Sequence, residues 1–444
     1  PSLLPAISLA YLFGNQGLAK WLLFGHSVYG PIGIVIGEVF WTFPHALIII
    51  STAMAISDAR LYEAAEALRA GSVRTFWTVT IPGVRYGLIS ATFVVFTLVI
   101  TDFGVPKVIG GQFNVLATDA YKQVMGQQNF SMGAVVGFIL LIPAVLAFIA
   151  DRAIQSRQSA LLTARAVPLQ PKERPLTDGL MLAYCLVIGG LVVGILGMAV
   201  WGSFVTYWPY NLSLSLKWYD FVEYEPSGWS PYLNSLSMGA MAACVGTPLV
   251  FVAAYLVEKS KGLGTLRGLV QLLAMLPMAV PGLVLGLAYV FFFNARANPL
   301  NVLYGTLPLL AMNTIAHFYT TAHVTATTAL KQIDAEFEAV SASLKVPFWT
   351  TLRRVTVPIC LPAILDIWVY MFVNALTTVS AVIFLYGPST RLASVSIVNM
   401  DESGATAAAA AMATMIVLTA IAVKVLHVTL DRIVFGRLQA WRKR

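Results

Sequence analysis

Polar side chains inside long apolar runs are the first candidates for chemistry in this sequence. Glu38 lies in the apolar run 31–56, and Asp102 lies at the end of the run 87–103. A charge in a bilayer is costly, so each is a site candidate by default. Uncharged polar groups in other runs extend the set to Asn313, Asn374 and Thr377. We expect these five residues to line a path for a polar solute; hydrogen bonding between helices is the alternative.

A short charged segment that occurs twice is the second candidate. Residues 58–82 read DARLYEAAEALRAGSVRTFWTVTIP, and residues 334–358, 276 positions later, read DAEFEAVSASLKVPFWTTLRRVTVP. The same offset aligns Pro82 with Pro358 and Thr101 with Thr377, without a gap. The match covers more than a hundred residues, so the chain is an internal duplication.

The first charged segment has the pattern of a short surface helix. Asp58 stands at the N-cap position, and Glu63 turns away from an apolar face. The spacing places four side chains on that face: Leu61, Ala64, Ala65 and Leu68. The segment is too short and too charged to cross a membrane, so we predict a helix that another protein approaches closely. A helix resting on lipid headgroups is the alternative, which the duplication disfavours.

The composition identifies the class of protein that carries these segments. Of the 444 residues, 58% are hydrophobic and only 11% are charged, with a mean hydropathy of +0.78. A chain with so few charges is an integral membrane protein, and the lipid bilayer is its surrounding. The net charge of +8 comes from basic residues beside apolar runs. This follows the positive-inside rule and does not indicate nucleic-acid binding.

About ten apolar runs are long enough to predict an all-α membrane protein. The first is the tail of a run at 1–13. The others lie near 31–56, 87–103, 131–153, 180–202, 232–257, 266–293, 305–330, 361–380 and 406–429. Pro277 and Pro281 repeat Pro1 and Pro5, and they predict a kinked helix.

Two units in parallel orientation follow from this pattern, since six helices separate equivalent points. The expected divisions are a first unit at 1–153, truncated at its N-terminus, with its charged helix at about 58–70; a linker at 154–179; the first helix and outer loop of the second unit at 180–231; the rest of that unit at 232–430, with its charged helix at about 334–346; and a basic tail at 431–444.

Catalytic and nucleotide-binding signatures are absent from the sequence. No GxxxxGK[ST] motif occurs, so the chain has no nucleotide site of its own. No GxSxG or HExxH motif occurs either, and the histidines have no metal-ligand spacing. We therefore expect no catalytic residues, no metal and no cofactor.

The residues EAAEAL, with a proline nineteen positions after Glu63, resemble the EAA motif of ABC importer permeases of the type I fold. The resemblance covers nearly the whole chain as two fused permease units of the ferric-iron type. It implies two ATP-binding cassette ATPase subunits, a periplasmic or lipid-anchored solute-binding protein, and the bacterial inner membrane. It also implies ATPase-coupling roles for Asp58, Glu63, Ala64, Ala65, Arg69, Gly71, Asp334, Glu338, Ala339 and Lys345.

The two copies depart from the family pattern in two ways. The family usually has glycine six residues after the motif's glutamate, whereas this chain has Arg69 and Lys345 there, with Gly71 displaced. In the second copy the glutamate position is Ala339, and Glu338 comes one residue earlier. One residue turns a helical side chain by about 100°. We therefore expect the two halves to couple unequally.

The transported solute is predicted from two further stretches. TDFGVPKVIGG (101–111) and YKQVMGQQNFSMGAVV (121–136) resemble the permeases of 2-aminoethylphosphonate uptake. Ferric iron, thiamine, sulfate, a polyamine or another small solute is the alternative within the same class. A proton-coupled secondary transporter using Glu38 or Asp102 is a different class, and a membrane-embedded enzyme is disfavoured for want of a nucleophile and base.

Overall fold

The computed structural model describes residues 2–55, 57–161, 174–259, 264–334 and 336–432. Pro1, residues 162–173 of the predicted linker 154–179 and the basic tail from residue 433 lie outside the described residues. The side chains of residues 155–161, Glu338 and Ala342 lie outside them as well.

Contacts divide the chain into two compact units, residues 2–202 and 203–444. Each unit is a helical bundle, as the apolar runs predict. The long helix that follows the predicted linker groups with the first bundle up to Gly202. The predicted boundaries at 153, 179, 231 and 430 stay predictions.

The first bundle contains three long helices of its own and several short ones. In chain order they are α1 (Leu3–Phe13), α2 (Pro31–Ala55), α3 (Ala59–Ala67), α4 (Ser72–Thr75), α5 (Ile81–Thr101), α6 (Gly104–Ile109), α7 (Leu116–Tyr121) and α8 (Phe130–Leu161); α9 (Pro175–Phe204) follows. Helix α5 packs against both α2 and α8. Buried side chains of α1, α6 and the loop before α2 form a core cluster of Ala6, Leu9, Val28, Val105 and Ile109.

The second bundle begins with a two-stranded antiparallel hairpin, β1 (Val205–Tyr207) and β2 (Asn211–Leu214). Its helices are α10 (Ser230–Lys259), α11 (Gly264–Met275), α12 (Gly282–Phe293), α13 (Leu307–Lys331), α14 (Glu336–Ser343), α15 (Phe348–Thr351), α16 (Val357–Thr377), α17 (Ala393–Glu402) and α18 (Thr406–Leu430). Helix α10 packs against α13 and α16 in the centre. The loop after the hairpin is held by an ion pair of 2.5 Å between buried Glu225 and Arg391.

The structure repeats with the same offset of 276 residues as the sequence. Helix α2 and helix α13 begin and end at equivalent positions, and so do α5 and α16. Each of the latter pair is preceded by a short helical turn and a five-residue π-helical turn, at Phe76–Thr80 and Leu352–Thr356. Helices α8 and α18 also begin at equivalent residues, Phe130 and Thr406. The predicted duplication is therefore confirmed element by element.

Fewer spans are found than the apolar runs predict. In the described part of the chain, seven helices are long and apolar enough to cross a membrane, or eight if one bent pair counts as a span. Leu3–Phe13 is too short, and α13 has the predicted length but is not among the seven. Threonine, histidine and asparagine side chains reduce its hydropathy. The predicted run 87–103 belongs to a longer continuous helix, Ser72–Thr101.

The run 266–293, predicted as one kinked helix, bends at the two prolines more sharply than a kink within a single helix. The chain breaks there into Gly264–Ala279 and Gly282–Phe293, which meet at 112°. Pro277 and Pro281 lack the N–H groups that would continue the helical ladder, so the first helix ends in a 3₁₀ turn. A β carbon at Gly286 would lie 2.6 Å from the Ala381 carbonyl oxygen, so glycine is required for this close approach. The two prolines, four residues apart, therefore end one helix and a second helix begins after them, whereas a kink within a single helix was expected.

Candidate functional site: two exposed short helices and the membrane helices that follow them

The two charged segments fold into short helices with the same N-terminal cap. The Arg60 backbone N–H donates to Asp58 Oδ1 at 3.1 Å, and the Glu336 N–H donates to Asp334 Oδ1 at 3.0 Å. A carboxylate at this position satisfies an N–H that the helix itself leaves unpaired. Asp58 and Asp334 thus set where each short helix begins.

The C-terminal ends are also equivalent, and they explain the departure from glycine. Arg69 and Lys345 have φ of +52° and +54°, in the left-handed region. The next residue closes each helix, with Ala70 N–H donating to the Ala65 carbonyl and Val346 N–H to the Ser341 carbonyl, both at 2.9 Å. This hydrogen bond closes the helix end around a left-handed residue. A side chain there costs about 1–2 kcal/mol relative to the usual glycine.

Gly71 does not form the left-handed turn that the family's glycine, replaced here by Arg69, would form. Its backbone is extended, with φ of −67° and ψ of 159°, and a β carbon would contact nothing within 4 Å. Any residue can adopt that conformation. The left-handed turn is therefore formed by Arg69 itself.

Both short helices present apolar side chains outward. On the predicted face of α3 only Ala65 is buried, whereas Leu61 and Leu68 are 54% and 83% exposed and Ala64 is exposed. Phe337, Val340 and Leu344 on α14 and its end are 44–70% exposed. Glu63 and Ala339 are exposed too. The face predicted to pack is thus open on both helices.

Each short helix is hydrogen-bonded to the membrane helix that follows it by hydroxyl groups that are not predicted from the sequence. In the first copy, Tyr62 Oη donates to Thr80 Oγ1 at 3.2 Å. In the second copy the hydroxyls of Ser341 and Thr351 are hydrogen-bonded. The positions differ between copies, so the offset does not reveal them. A search of the charged segments for hydroxyl residues on the less exposed side of each helix could have identified these hydrogen bonds.

A π-helical turn lies within each membrane helix that follows a short helix. The Ile81 N–H donates to the Phe76 carbonyl and the Val357 N–H to the Leu352 carbonyl, five residues back. Pro82 and Pro358 follow directly, and proline cannot donate to the carbonyl four residues before it. Widening the ladder by one residue keeps the helix continuous past the proline. Each short helix is therefore followed by one continuous membrane helix, Ser72–Thr101 or Phe348–Thr377, through which a movement at the membrane surface can be transmitted.

Within the first bundle the structure brings Glu38 and Asp102 together. Glu38 is 3% exposed, and its side chain lies within hydrogen-bonding reach of the Asp102 carboxyl group. Asp102 Oδ2 accepts the Val105 N–H at 2.8 Å at the start of α6. Glu38 also lines a cavity of about 730 Å³ between α2 and α5.

Within the second bundle the three predicted path residues make separate contacts. Buried Asn313 Nδ2 donates to the Ala381 carbonyl at 2.6 Å, which joins α13 to the turn after α16. Asn374 Nδ2 and Thr377 Oγ1 donate to carbonyls of their own helix, at 2.8 and 3.3 Å. Asn374 also lines a cavity of about 490 Å³ with Asp366 and Lys424. All three therefore have hydrogen bonds that need no solute.

A polar pair that is not predicted from the sequence recurs in both bundles. Ser90 Oγ donates to Asp151 Oδ1 at 2.5 Å, and this joins α5 to α8. The equivalent residues Asp366 and His427 lie 3.0 Å apart and join α16 to α18. The pair could have been found by aligning the two copies and looking for positions that are polar in both, even where the residue types differ.

The protein-family profile described as "Binding-protein-dependent transport system inner membrane component" matches residues 1–160 and 246–435 of the chain. These two regions together cover more than half of the sequence, and each includes one charged segment.

Individual relatives align with one or both copies. A putative ferric transport system permease protein of Haemophilus influenzae is 29% identical over 407 residues, 88% of this chain. A ferric transport system permease protein of Actinobacillus pleuropneumoniae is 27% identical over 437 residues, 95% of this chain. This chain spans 63% of the length of each. A putative 2-aminoethylphosphonate transport system permease protein of Salmonella typhimurium is 29% identical over 210 residues, 47% of this chain and 75% of that protein.

Proposed function

The chain belongs to the family of binding-protein-dependent transport system inner membrane components, and we propose that it is the permease subunit of an ABC importer. The observation that carries the proposal is the duplicated short helix. Two helices with equal caps, equal left-handed ends and open apolar faces each lead into a continuous membrane helix. A pair of identical ATPase subunits needs two such docking points on the permease.

In this proposal α3 and α14 each insert into one ATP-binding cassette ATPase subunit on the cytoplasmic side. The exposed Leu61 and Leu68, and their counterparts on α14, supply the apolar contact area. ATP-driven closure of the ATPases displaces the two helices, and Ser72–Thr101 and Phe348–Thr377 carry the displacement into the bundles. A separate solute-binding protein delivers the cargo from the outside, so the chain itself performs no covalent chemistry.

Two cargoes have support. Ferric iron is supported by relatives that align with 88% and 95% of this chain. 2-Aminoethylphosphonate is supported by a relative that aligns with 47% of it, and by the resemblance of residues 101–111 and 121–136. Under either cargo, Glu38, Asp102 and Asn374 are the candidates for lining the path.

One observation favours proton-coupled transport as a second candidate function. Buried Glu38 and half-buried Asp102 are neighbours whose carboxyl groups can share a proton. Such a transporter works without ATPase subunits, and it leaves the open faces of α3 and α14 without a role.

The test is reconstitution of the full-length protein in lipid with the ATPase and solute-binding protein encoded beside it. ATP hydrolysis is measured with ferric iron, 2-aminoethylphosphonate or no solute. Stimulation by a solute that is lost in the Glu63→Lys variant supports the importer and identifies the cargo. Copurification without stimulation by either solute discards both cargoes and keeps the class. Absence of ATPase binding, with uptake driven by a proton gradient, overturns the importer.

A further inference from the structure

We propose that the apolar loop, residues 18–24 (LAKWLLF) between α1 and α2, inserts its exposed side chains into the headgroup region of the lipid bilayer. Its partner is a phospholipid surface, which it contacts in addition to the lipid around the membrane helices. The inference goes beyond the proposed transport function, because it needs neither a solute nor an ATPase subunit.

The apolar loop exposes four large apolar side chains within seven residues. Trp21 and Phe24 are 73% and 91% exposed, and Leu18 and Leu22 are exposed as well. The 3₁₀ turn Lys20–Leu23 contains no buried residue. Single exposed apolar side chains are ordinary, whereas a contiguous group of them marks a surface that a partner or a membrane covers.

The backbone of the apolar loop directs these side chains outward. Leu23 packs against the core cluster of the first bundle and holds the loop from below. The Phe24 N–H donates to the Trp21 carbonyl at 3.2 Å, and the His26 N–H donates to the Leu23 carbonyl at 2.9 Å. Phe24 has a φ of +49°, in the left-handed region that a large side chain seldom adopts. The exposed side chains therefore belong to a defined turn that presents them.

The apolar loop lies near the ends of two membrane helices. Phe24 comes seven residues before Pro31, where the membrane helix α2 begins. The Gly30 N–H donates to the Ile109 carbonyl at 2.9 Å, in the segment that follows the membrane helix ending at Thr101. The ends of these helices meet the boundary between hydrocarbon and water. The loop is therefore at the depth of the headgroups.

The residue types in the apolar loop fit a phospholipid surface. Tryptophan, phenylalanine and leucine beside a lysine are typical of segments that lie in the membrane interface. Lys20 is exposed, and its Nζ donates one hydrogen bond, to the Asn15 carbonyl at 3.3 Å. Two of its three N–H donors remain for lipid phosphate groups. No aspartate or glutamate precedes Glu38 in the sequence, so this stretch carries no charge that phosphates repel.

The equivalent loop of the second copy is largely polar. Residues 294–300 read NARANPL, in which only Leu300, the equivalent of Phe24, is large and apolar. Asn298 Nδ2 donates to the Phe292 carbonyl at 2.8 Å, so an amide holds this loop in place. The duplicated fold therefore does not need the exposed apolar side chains, which argues that they have a role other than folding.

Hydroxyl-radical labelling tests the proposal on the wild-type protein, alone in phospholipid nanodiscs. Mass spectrometry measures the oxidation rates of Trp21 and of Phe337, the reference on the exposed helix α14. Tryptophan is the more reactive residue type, and Trp21 is 73% exposed in the protein against 44% for Phe337. Contact with water would therefore make Trp21 the faster of the two. The proposal predicts the reverse order, and oxidation of Trp21 as fast as or faster than that of Phe337 would overturn it.

Photocrosslinking then identifies what covers the apolar loop. The photoreactive residue p-benzoylphenylalanine replaces Trp21 or Phe24, and its matched control replaces Ala297, the exposed equivalent of Trp21 in the second copy. Lipid adducts are expected at positions 21 and 24, with none above background at 297. Crosslinks to a polypeptide, equal lipid adducts at 297, or no adduct at 21 and 24 would each overturn the proposal. The samples contain no ATPase or solute, so these results do not depend on whether the protein is an importer.

Discussion

Asp366 Oδ1 lies 3.0 Å from His427 Nε2, and the residues 276 positions earlier, Ser90 and Asp151, join the equivalent helices at 2.5 Å. The carboxylate is on the first helix of the pair in one copy and on the second helix in the other. A polar contact thus persists at one place in the fold while its chemistry changes. This indicates a clamp between helices, a role that either pair of side chains can perform.

The clamp should contribute more to stability in the first copy than in the second. Ser90 and Asp151 are both buried, whereas Asp366 is 55% exposed and has Lys424 at 4.0 Å as well. Ser90→Ala should lower the free energy of unfolding by about 1 kcal/mol, and His427→Ala by less. Thermal unfolding in detergent measures both. Thr97→Ala is the matched control, because Thr97 donates only within its own helix. An equal or larger effect of His427→Ala would contradict this ranking.

Charge reversal on the two short helices should affect coupling unequally. Glu63 is exposed on α3, whereas its counterpart is Ala339, and the second copy has its glutamate one residue earlier in the sequence, at position 338; one residue corresponds to about 100° around a helix. Glu63→Lys should therefore reduce solute-stimulated ATP hydrolysis more than Glu338→Lys does. In the complementary variant, Ala339→Glu, a glutamate is placed at the position equivalent to Glu63, and solute-stimulated ATP hydrolysis should increase. Equal losses in the two charge-reversal variants would show that both glutamates make the same contact.

Glycine at the left-handed positions should stabilise the short helices. Arg69 and Lys345 pay about 1 kcal/mol or more for a φ near +50°, and glycine removes that cost. In Arg69→Gly, exchange of the Ala70 amide, which donates to the Ala65 carbonyl, should slow by about fivefold. Hydrogen exchange with mass spectrometry measures this rate. Arg69→Ala removes the charge but keeps the left-handed β carbon, so it should not slow exchange; equal slowing would refute the strain explanation.

Gly37 and Val105 should show compensating substitutions. A β carbon at Gly37 would lie 2.5 Å from Val105 Cγ1, whereas the equivalent pair in the second copy is Asn313 with the smaller Ala381. Gly37→Ala should destabilise the first bundle by about 1–3 kcal/mol through overpacking. Adding Val105→Ala should recover most of that loss. Additive losses in the double variant, measured by thermal unfolding, would show that the two residues do not share this space.

Much of the fold follows from local properties of the sequence. Hydropathy and length locate the membrane helices, because every backbone polar group in lipid must be paired within its own helix. The gapless offset predicts that α2 and α13, and likewise α5 and α16, begin and end at equivalent residues, as they do. Asp58 is identified as a cap from its residue type and place alone. These features depend on neighbours along the chain, and the printed residues are sufficient to deduce them.

Other features were decided only by tertiary structure. Pro277 and Pro281 end the helix locally, but nothing in their spacing records that α12 comes close to the Ala381 carbonyl, about a hundred residues away along the chain. Whether Leu61 and Leu68 are buried depends on what packs against α3, and nothing in their spacing records that. Ser90 meets Asp151, and Glu38 meets Asp102, across 61 and 64 residues of chain. The sequence alone determined which segments are helices and that they are duplicated. Side-chain packing between distant segments decided which polar groups are paired.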